Sequence, residues 1–410
     1  MTTGIRKIEA KEILDSRGVP TISIEVTAGE NSKGIFDVPS GASTGAHEAL
    51  ELRDGDPARL NGRGVLKALQ NVNEIIAPAL LNFDVTDQAG IDKRLLELDG
   101  TPNKSKLGAN AILGVSVASA KAAAVLKNVP VYMHLRDLAD VSPSRKVPYL
   151  FMNLINGGLH AHSKLAFQEY LLVPQTESVE EALRIGVQIM HEAGRLIKEK
   201  YGPTFTNFGD EGGFAPDIAD VKEPLNILFT AAKNLGLQDK IKLSLDVAAT
   251  SFFKDGKYNF GGRSSNTEEL LNLYHEICAQ FPMLSMEDPF MEESFEDFAR
   301  LNDGKVIVIG DDLTVTNPAL LKKAIEMKSI SGIIIKLNQI GTLTETIETM
   351  KMARAANIEC VVSHRSGETK DDFIADLAFA YGAFALKSGA PSKTERLVKY
   401  NRLLEIVGQQ

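Results

Sequence analysis

Cysteine is scarce: the chain has only Cys278 and Cys360, in separate segments. No disulfide framework can be read from them, which fits a reducing compartment and leads us to expect a cytoplasmic protein. The opening residues, MTTGIRKIEA, lack the apolar run of a secretory signal, and no stretch reads as apolar for long enough to span a bilayer. Positive charge is not in excess either. With 45 basic and 54 acidic residues the net charge is −9, which argues against non-specific nucleic-acid binding and against docking on anionic lipid. A local cationic pocket for an anionic substrate remains compatible with that balance. Low-complexity tracts and solenoid repeats are absent.

The composition is otherwise that of a globular protein, 44% hydrophobic and 24% charged. A length of 410 residues suits two domains, one of them large enough to be a barrel. Residues 21–26 (TISIEV) alternate like a strand with one polar face, and residues 65–81 and 108–126 read as helices. Strands followed by helices make this first part α+β. A Pro-bearing polar stretch over 137–148 marks the expected boundary, with a capping domain over 1–137 and a catalytic domain over 138–410. Beyond it, apolar runs at 241–245, 283–286, 306–309, 332–335, 358–362 and 383–386 alternate with helical patterns. Such runs are typical of parallel strands buried on both faces, in a barrel or an open doubly wound sheet. No glycine-rich dinucleotide fingerprint follows the first of them.

The strongest signal is positional. The runs end, in order, in Asp246, Glu287, Asp311, Lys336, His364 with Arg365, and Lys387, spaced roughly 23 to 41 residues apart. One aspartate after a strand is usually a helix cap. Six consecutive strands ending in such groups converge on the mouth of a barrel, where active sites sit. Asp246, Glu287 and Asp311 are hard oxygen donors with no histidine or cysteine among them, suited to Mg²⁺ and costly to crowd without a cation. Lys336, Arg365 and Lys387 can hold carboxylate and phosphate oxygens. A metal and a second cation nearby would disfavour the charged form of a lysine and make it a base. Asp288 and Asp312 follow two of the ligand candidates and read as caps or supports.

Three loops add candidates. Glu211 in FGDEGGFAP is placed to act as a general acid or base. Ser40 in VPSGASTG lies in a flexible loop able to close over a substrate and to reach a metal. His160 in INGGLHAH could donate to a phosphate, whereas His47, His162, His191 and His275 read as ordinary surface histidines.

Taken together, VPSGASTGAHEALELRDGD, NKSKLGANAILGVS, FGDEGGFAP, SMEDPF, GDDLTVTNP, IKLNQIGT, SHRSGET and LKSGAP resemble the enolase (phosphopyruvate hydratase) family over nearly the whole chain. The resemblance implies an enolase-type C-terminal β/α (TIM-like) barrel of irregular first strand order, under an N-terminal α+β cap. It implies reversible conversion of 2-phosphoglycerate to phosphoenolpyruvate with two Mg²⁺, the second arriving with substrate. Lys336 matches the base at C2 and Glu211 the acid for the leaving hydroxyl. Asp246, Glu287 and Asp311 match the ligands of the tight metal, and Ser40 that of the second. Arg365 and Ser366 match the phosphate pair, and Lys387 the lysine on the substrate carboxylate. His160, Gln168, Glu169 and His364 match further pocket residues. At least a dimer is implied, along with a possible secondary pool at the cell surface.

The chain departs from the family at Val19, where asparagine is usual, in a shortened strand before the Ser40 loop, and at His162-Ser163-Lys164. These put loop closure, edge pairing and subunit contacts in question, and no matched catalytic residue is lost. Ser40, Arg365 and Lys387 favour a phosphorylated acid over other hydroxy acids. Intact Lys336, Glu211 and metal ligands argue against a fold kept for binding alone.

Overall fold

The computed structural model describes residues 2–41, 45–142, 147–161 and 163–409. The N-terminal domain opens with an antiparallel sheet of β1 (Ile5–Leu14), β2 (Pro20–Ala28) and β3 (Ser32–Asp37), in that order. Its inner face rests on the helix Ala109–Leu126. The approach is close because both partners are small. A Cβ on Gly34 of β3 would lie 2.1 Å from the Ala118 carbonyl oxygen and 2.3 Å from the Ala122 nitrogen, so only glycine lets strand and helix meet there. That helix corrects one expectation. With 18 residues and a mean hydropathy of 1.6 it is long and apolar enough to cross a bilayer, but 83% of it is buried, as the core of this domain.

The helical pattern over 65–81 is realised as Leu66–Gln70, Asn71–Ile76 and Ala77–Leu80, one helical run widened to a π-turn in its middle. The helix Val131–Ala139 runs through residues 137 and 138, and residues 143–146 of the connection lie outside those described.

The second domain is a closed barrel, which excludes the open sheet. It contains β4 (Tyr149–Asn156), β5 (Glu169–Pro174) and β6 (Ile241–Asp246). A small antiparallel sheet, β7 (Phe253–Lys254), β8 (Lys257–Phe260) and β9 (Arg263–Ser265), stands apart. The barrel resumes with β10 (Met283–Glu287), β11 (Ile307–Gly310), β12 (Gly332–Ile335), β13 (Glu359–Ser363) and β14 (Ala385–Lys387). The order around it is β10-β11-β12-β13-β14-β4-β5-β6. β5 runs against β4 and β6, and the other pairings are parallel. The reversal has a consequence for the site. The first residue of β5, Glu169, aligns with Asn156 and Asp246 at the ends of its neighbours. The interior is plugged by Phe151, Leu171, Val173, Ile309, Ile334, Val361 and Phe384, so the barrel is a packed core with a polar mouth.

The cap is fastened to that mouth. Asp92 accepts from the Thr344 amide at 2.9 Å and its hydroxyl at 2.6 Å, and Ser116 Oγ accepts from the Leu343 amide at 3.0 Å. The first domain thereby satisfies unpaired amides at the start of the barrel helix Leu343–Ala355. Lys121 and Asp371 add an ion pair at 2.7 Å. Val19 meets Asp15 through backbone atoms, its amide donating to Oδ1 at 2.9 Å and its carbonyl accepting from the Asp15 amide at 2.8 Å. The turn therefore places no demand on the side chain at 19. Of the unfamiliar loop, Lys164 pairs with Asp217, and His162 lies outside the described residues.

Candidate active site

The strand ends deliver the expected groups to one mouth. Asp246 and Glu287 end β6 and β10 and are paired in register. Asp311 follows β11, Lys336 follows β12, and His364, Arg365 and Ser366 follow β13, while Lys387 ends β14. All are buried except the half-buried Lys336.

Lys387 is the hub. Its Nζ lies 2.7 Å from Glu287 Oε2, 3.0 Å from Glu169 Oε2 and 3.2 Å from Asp246 Oδ2. Burial opposes its charge, but these carboxylates outweigh burial and hold its pKa well above the usual lysine range. Burial, then Asp246, push the Glu287 carboxyl well up. Lys336 pairs with Asp311 Oδ2. Burial, Arg365 and Lys387 do pull its pKa down, yet Asp311 more than compensates and the net shift is upward. As placed, Lys336 is a paired ammonium, and it becomes a base once the charge on Asp311 is taken up elsewhere.

Asp288 supports the third ligand candidate. With φ at +41°, it accepts from the amides of Asp311 at 2.9 Å and Asp312 at 2.7 Å. Burial, then Asp311, push Asp312 up to about 8. Oxygens of Asp288, Asp311 and Asp312 lie within 4.8 Å of one another, as do ligand atoms of His160, Glu169 and Glu211. Within the expected trio, Lys387 bridges Asp246 and Glu287, and Lys336 holds Asp311. Carboxylates outnumber cations around these lysines, and every strand-end acid offers hard oxygen. A divalent cation fits that imbalance.

Glu211 is fixed from three sides. Asn153 Nδ2 donates to Oε2 at 2.9 Å, while His364 Nε2 and His160 Nδ1 stand 3.4 and 3.5 Å from Oε1. Burial alone would raise its pKa, but His364 and His160 hold it well below the usual carboxylate range. Glu169 goes the other way, pushed well up by burial and then by Glu211. Gln168 Nε2 donates to Asp246 Oδ2 at 3.3 Å.

Ser40 bonds the backbone of Gly367 in both directions at 2.8 and 2.9 Å, joining the cap to the loop after β13. Its hydroxyl donates to Glu51 at 3.0 Å and accepts from Arg53 at 2.9 Å, both residues of the cap. Residues 42–44 of its loop lie outside those described. Arg365 is engaged as well: Nη1 and Nη2 grip Glu48 at 2.9 and 3.1 Å, and Nη1 donates to Asn338 at 2.8 Å. Gln339 Nε2 donates both to Glu48, at 3.3 Å, and to Asp311, at 2.9 Å. Ser366 Oγ accepts from Arg17 at 3.3 Å. Sequence reasoning did not single out Asn153, Glu48, Asn338, Gln339 or Arg17. Glu48, Asn338 and Gln339 stand inside motifs it quoted, HEALE and IKLNQIGT, but no strand end marked them.

A closed β/α barrel whose mouth gathers hard acids, two lysines, an arginine and paired histidines defines an enzyme of metal-assisted acid–base chemistry. Residues 5–135 match a family model described as the enolase N-terminal domain, and 144–409 one described as the enolase C-terminal TIM barrel domain. The chain is 48% identical over 410 residues to a protein named Enolase from Methanopyrus kandleri, covering 98% of this chain and 95% of that one. It is also 48% identical over 420 residues to Enolase B of Dictyostelium discoideum, with 98% and 94% covered. The chain belongs to the enolase family.

Proposed function

We propose that the chain is a Mg²⁺-dependent hydro-lyase, a phosphopyruvate hydratase, that interconverts 2-phosphoglycerate and phosphoenolpyruvate. The observation that carries this reading is the division of the mouth. Lys336 and Lys387 stand with the strand-end acids, Glu211 stands between His160 and His364, and Arg365 stands apart on Glu48 and Asn338, followed by Ser366 on Arg17.

Arg365 and Ser366 bind the phosphate and Lys387 the substrate carboxylate. Lys336, once released from Asp311, removes the proton at C2. That proton is barely acidic, because its loss puts a second negative charge on the carboxylate, and Lys387 is fixed where that charge grows. Asp246, Glu287 and Asp311 would hold one Mg²⁺ and Ser40 a second, and bound there the ions would supply further positive charge to that carboxylate. Glu211 protonates the departing C3 hydroxyl. His160, Gln168 and His364 shape the pocket around these groups. We further infer a cytoplasmic homo-oligomer, at least a dimer, whose cap and barrel divide after the helix Val131–Ala139 rather than within it at 137–138.

Ultraviolet absorbance of the protein with 2-phosphoglycerate tests the reaction. Phosphoenolpyruvate that forms only with Mg²⁺ supports it. Folded, Mg²⁺-loaded protein that makes no product rules it out.

A further inference from the structure

Arg396, on the helix Thr394–Gly408, is fully buried, and the reaction as described gives it no task. Burying a guanidinium is costly unless its donors find partners. Nη1 donates to the Arg365 carbonyl at 2.6 Å, and Nη2 donates to the carbonyls of Ser366 at 2.7 Å and Asp210 at 3.3 Å. The loop bearing Glu211 is thus tied to the loop bearing the phosphate pair. Nη1 also stands 2.5 Å from His364 Nδ1. A guanidinium carries donors and no acceptor. Nδ1 must therefore offer its lone pair, and the ring proton of a neutral imidazole must sit on Nε2. Nε2 is the atom facing Glu211 Oε1 at 3.4 Å. Packing leaves little play, since a Cβ on Gly389 would lie 3.1 Å from Arg396 Cδ and 3.2 Å from His364 Cε1.

We propose that Arg396 is a positioning residue that holds His364 in the tautomer with bare Nδ1 and protonated Nε2, aiming a hydrogen-bond donor at Glu211. The value of that donor to turnover rests on the reaction proposed above, whereas the tautomer does not. Burial, with Arg396 opposing a proton, also keeps the ring neutral, with a pKa of about 4.

The test is nitrogen NMR of full-length protein labelled with ¹⁵N-histidine, the His364 signals being assigned by their loss in His364→Gln. The parent should show Nδ1 unprotonated and Nε2 protonated. Arg396→Met, which fills the space without donors, should mix the tautomers and lower kcat about 100-fold. Arg396→Lys, which restores one donor, should recover the single tautomer and part of the rate. A parent spectrum with the proton on Nδ1 overturns the proposal even where no variant folds. So does a folded Arg396→Met that keeps the parent tautomer, whatever its rate, because the guanidinium then only clamps carbonyls. A parent that fails to turn over 2-phosphoglycerate sinks the proposed reaction, and the spectrum alone then decides this proposal.

Discussion

Glu48 occupies Arg365, so if that arginine binds the phosphate as proposed, substrate must displace Glu48. The perturbation is Glu48→Gln, which keeps the shape and one acceptor oxygen but removes the charge. The pair is two-pronged, at 2.9 and 3.1 Å, and its side chains are only 8% and 3% exposed. A charged hydrogen bond is worth about 1 kcal/mol more than a neutral one, so Gln holds Arg365 more weakly by about 1–3 kcal/mol. Each 1.4 kcal/mol is about tenfold in affinity, so inorganic phosphate should bind the variant about 5 to 140 times more tightly. The same lost hold should lower unfolding stability by about 2 kcal/mol. Isothermal titration with inorganic phosphate at saturating Mg²⁺ reads the first effect, and urea unfolding reads the second. Phosphate binding that is unchanged or weaker in a folded variant would refute the displacement.

Asp92→Ala strips the buried acceptor from Thr344 and from Gln88 at 3.0 Å, and should cost about 2–3 kcal/mol in urea unfolding. An unchanged midpoint would mean that the cap does not dock through this acid. His134, fully buried on the helix Val131–Ala139, is held down to about 4, first by burial and then by Lys127. Its unfolded form takes a proton below about 6.5, so its stabilising contribution is complete above that pH and is lost as pH falls through about 4. His134→Leu should therefore flatten the fall of the urea midpoint over that window, and parallel curves would contradict this. Asp246→Asn removes one of the acids around Lys387 and should weaken Mg²⁺ binding measured by titration. Unchanged metal dependence would remove Asp246 from the ligand set.

The barrel was legible because parallel strands buried on both faces leave continuous apolar runs, and because each run ends where the chain emerges at the mouth. That rule found Asp246, Glu287, Asp311, Lys336, His364, Arg365 and Lys387. It could not find β4 and β5 on its own terms. Reversal of β5 puts a strand's first residue at the mouth, so Glu169 carries no strand-end mark, and Gln168, Glu169, Ser366 and the irregular start came only through family likeness. The helix Val179–Tyr201, which buries one face against the barrel, carries no chemistry-bearing strand end and so falls outside that rule. Groups such as Glu48, Gln339 and Arg396 act through partners far away in sequence, and pairings of that kind leave no local pattern. The pairing of Lys336 with Asp311 was illegible for the same reason, because distances between strand ends are not written in the sequence.

The central claim is that Lys336 takes the C2 proton and Glu211 serves a different step. Exchange of the C2 hydrogen of 2-phosphoglycerate with deuterated solvent, followed by proton NMR alongside phosphoenolpyruvate formation, separates the two. Lys336→Ala should neither exchange nor form product while remaining folded. Glu211→Gln should still exchange at C2 yet form almost no phosphoenolpyruvate. Exchange that survives in Lys336→Ala, or that vanishes in a folded Glu211→Gln, would contradict this division of labour.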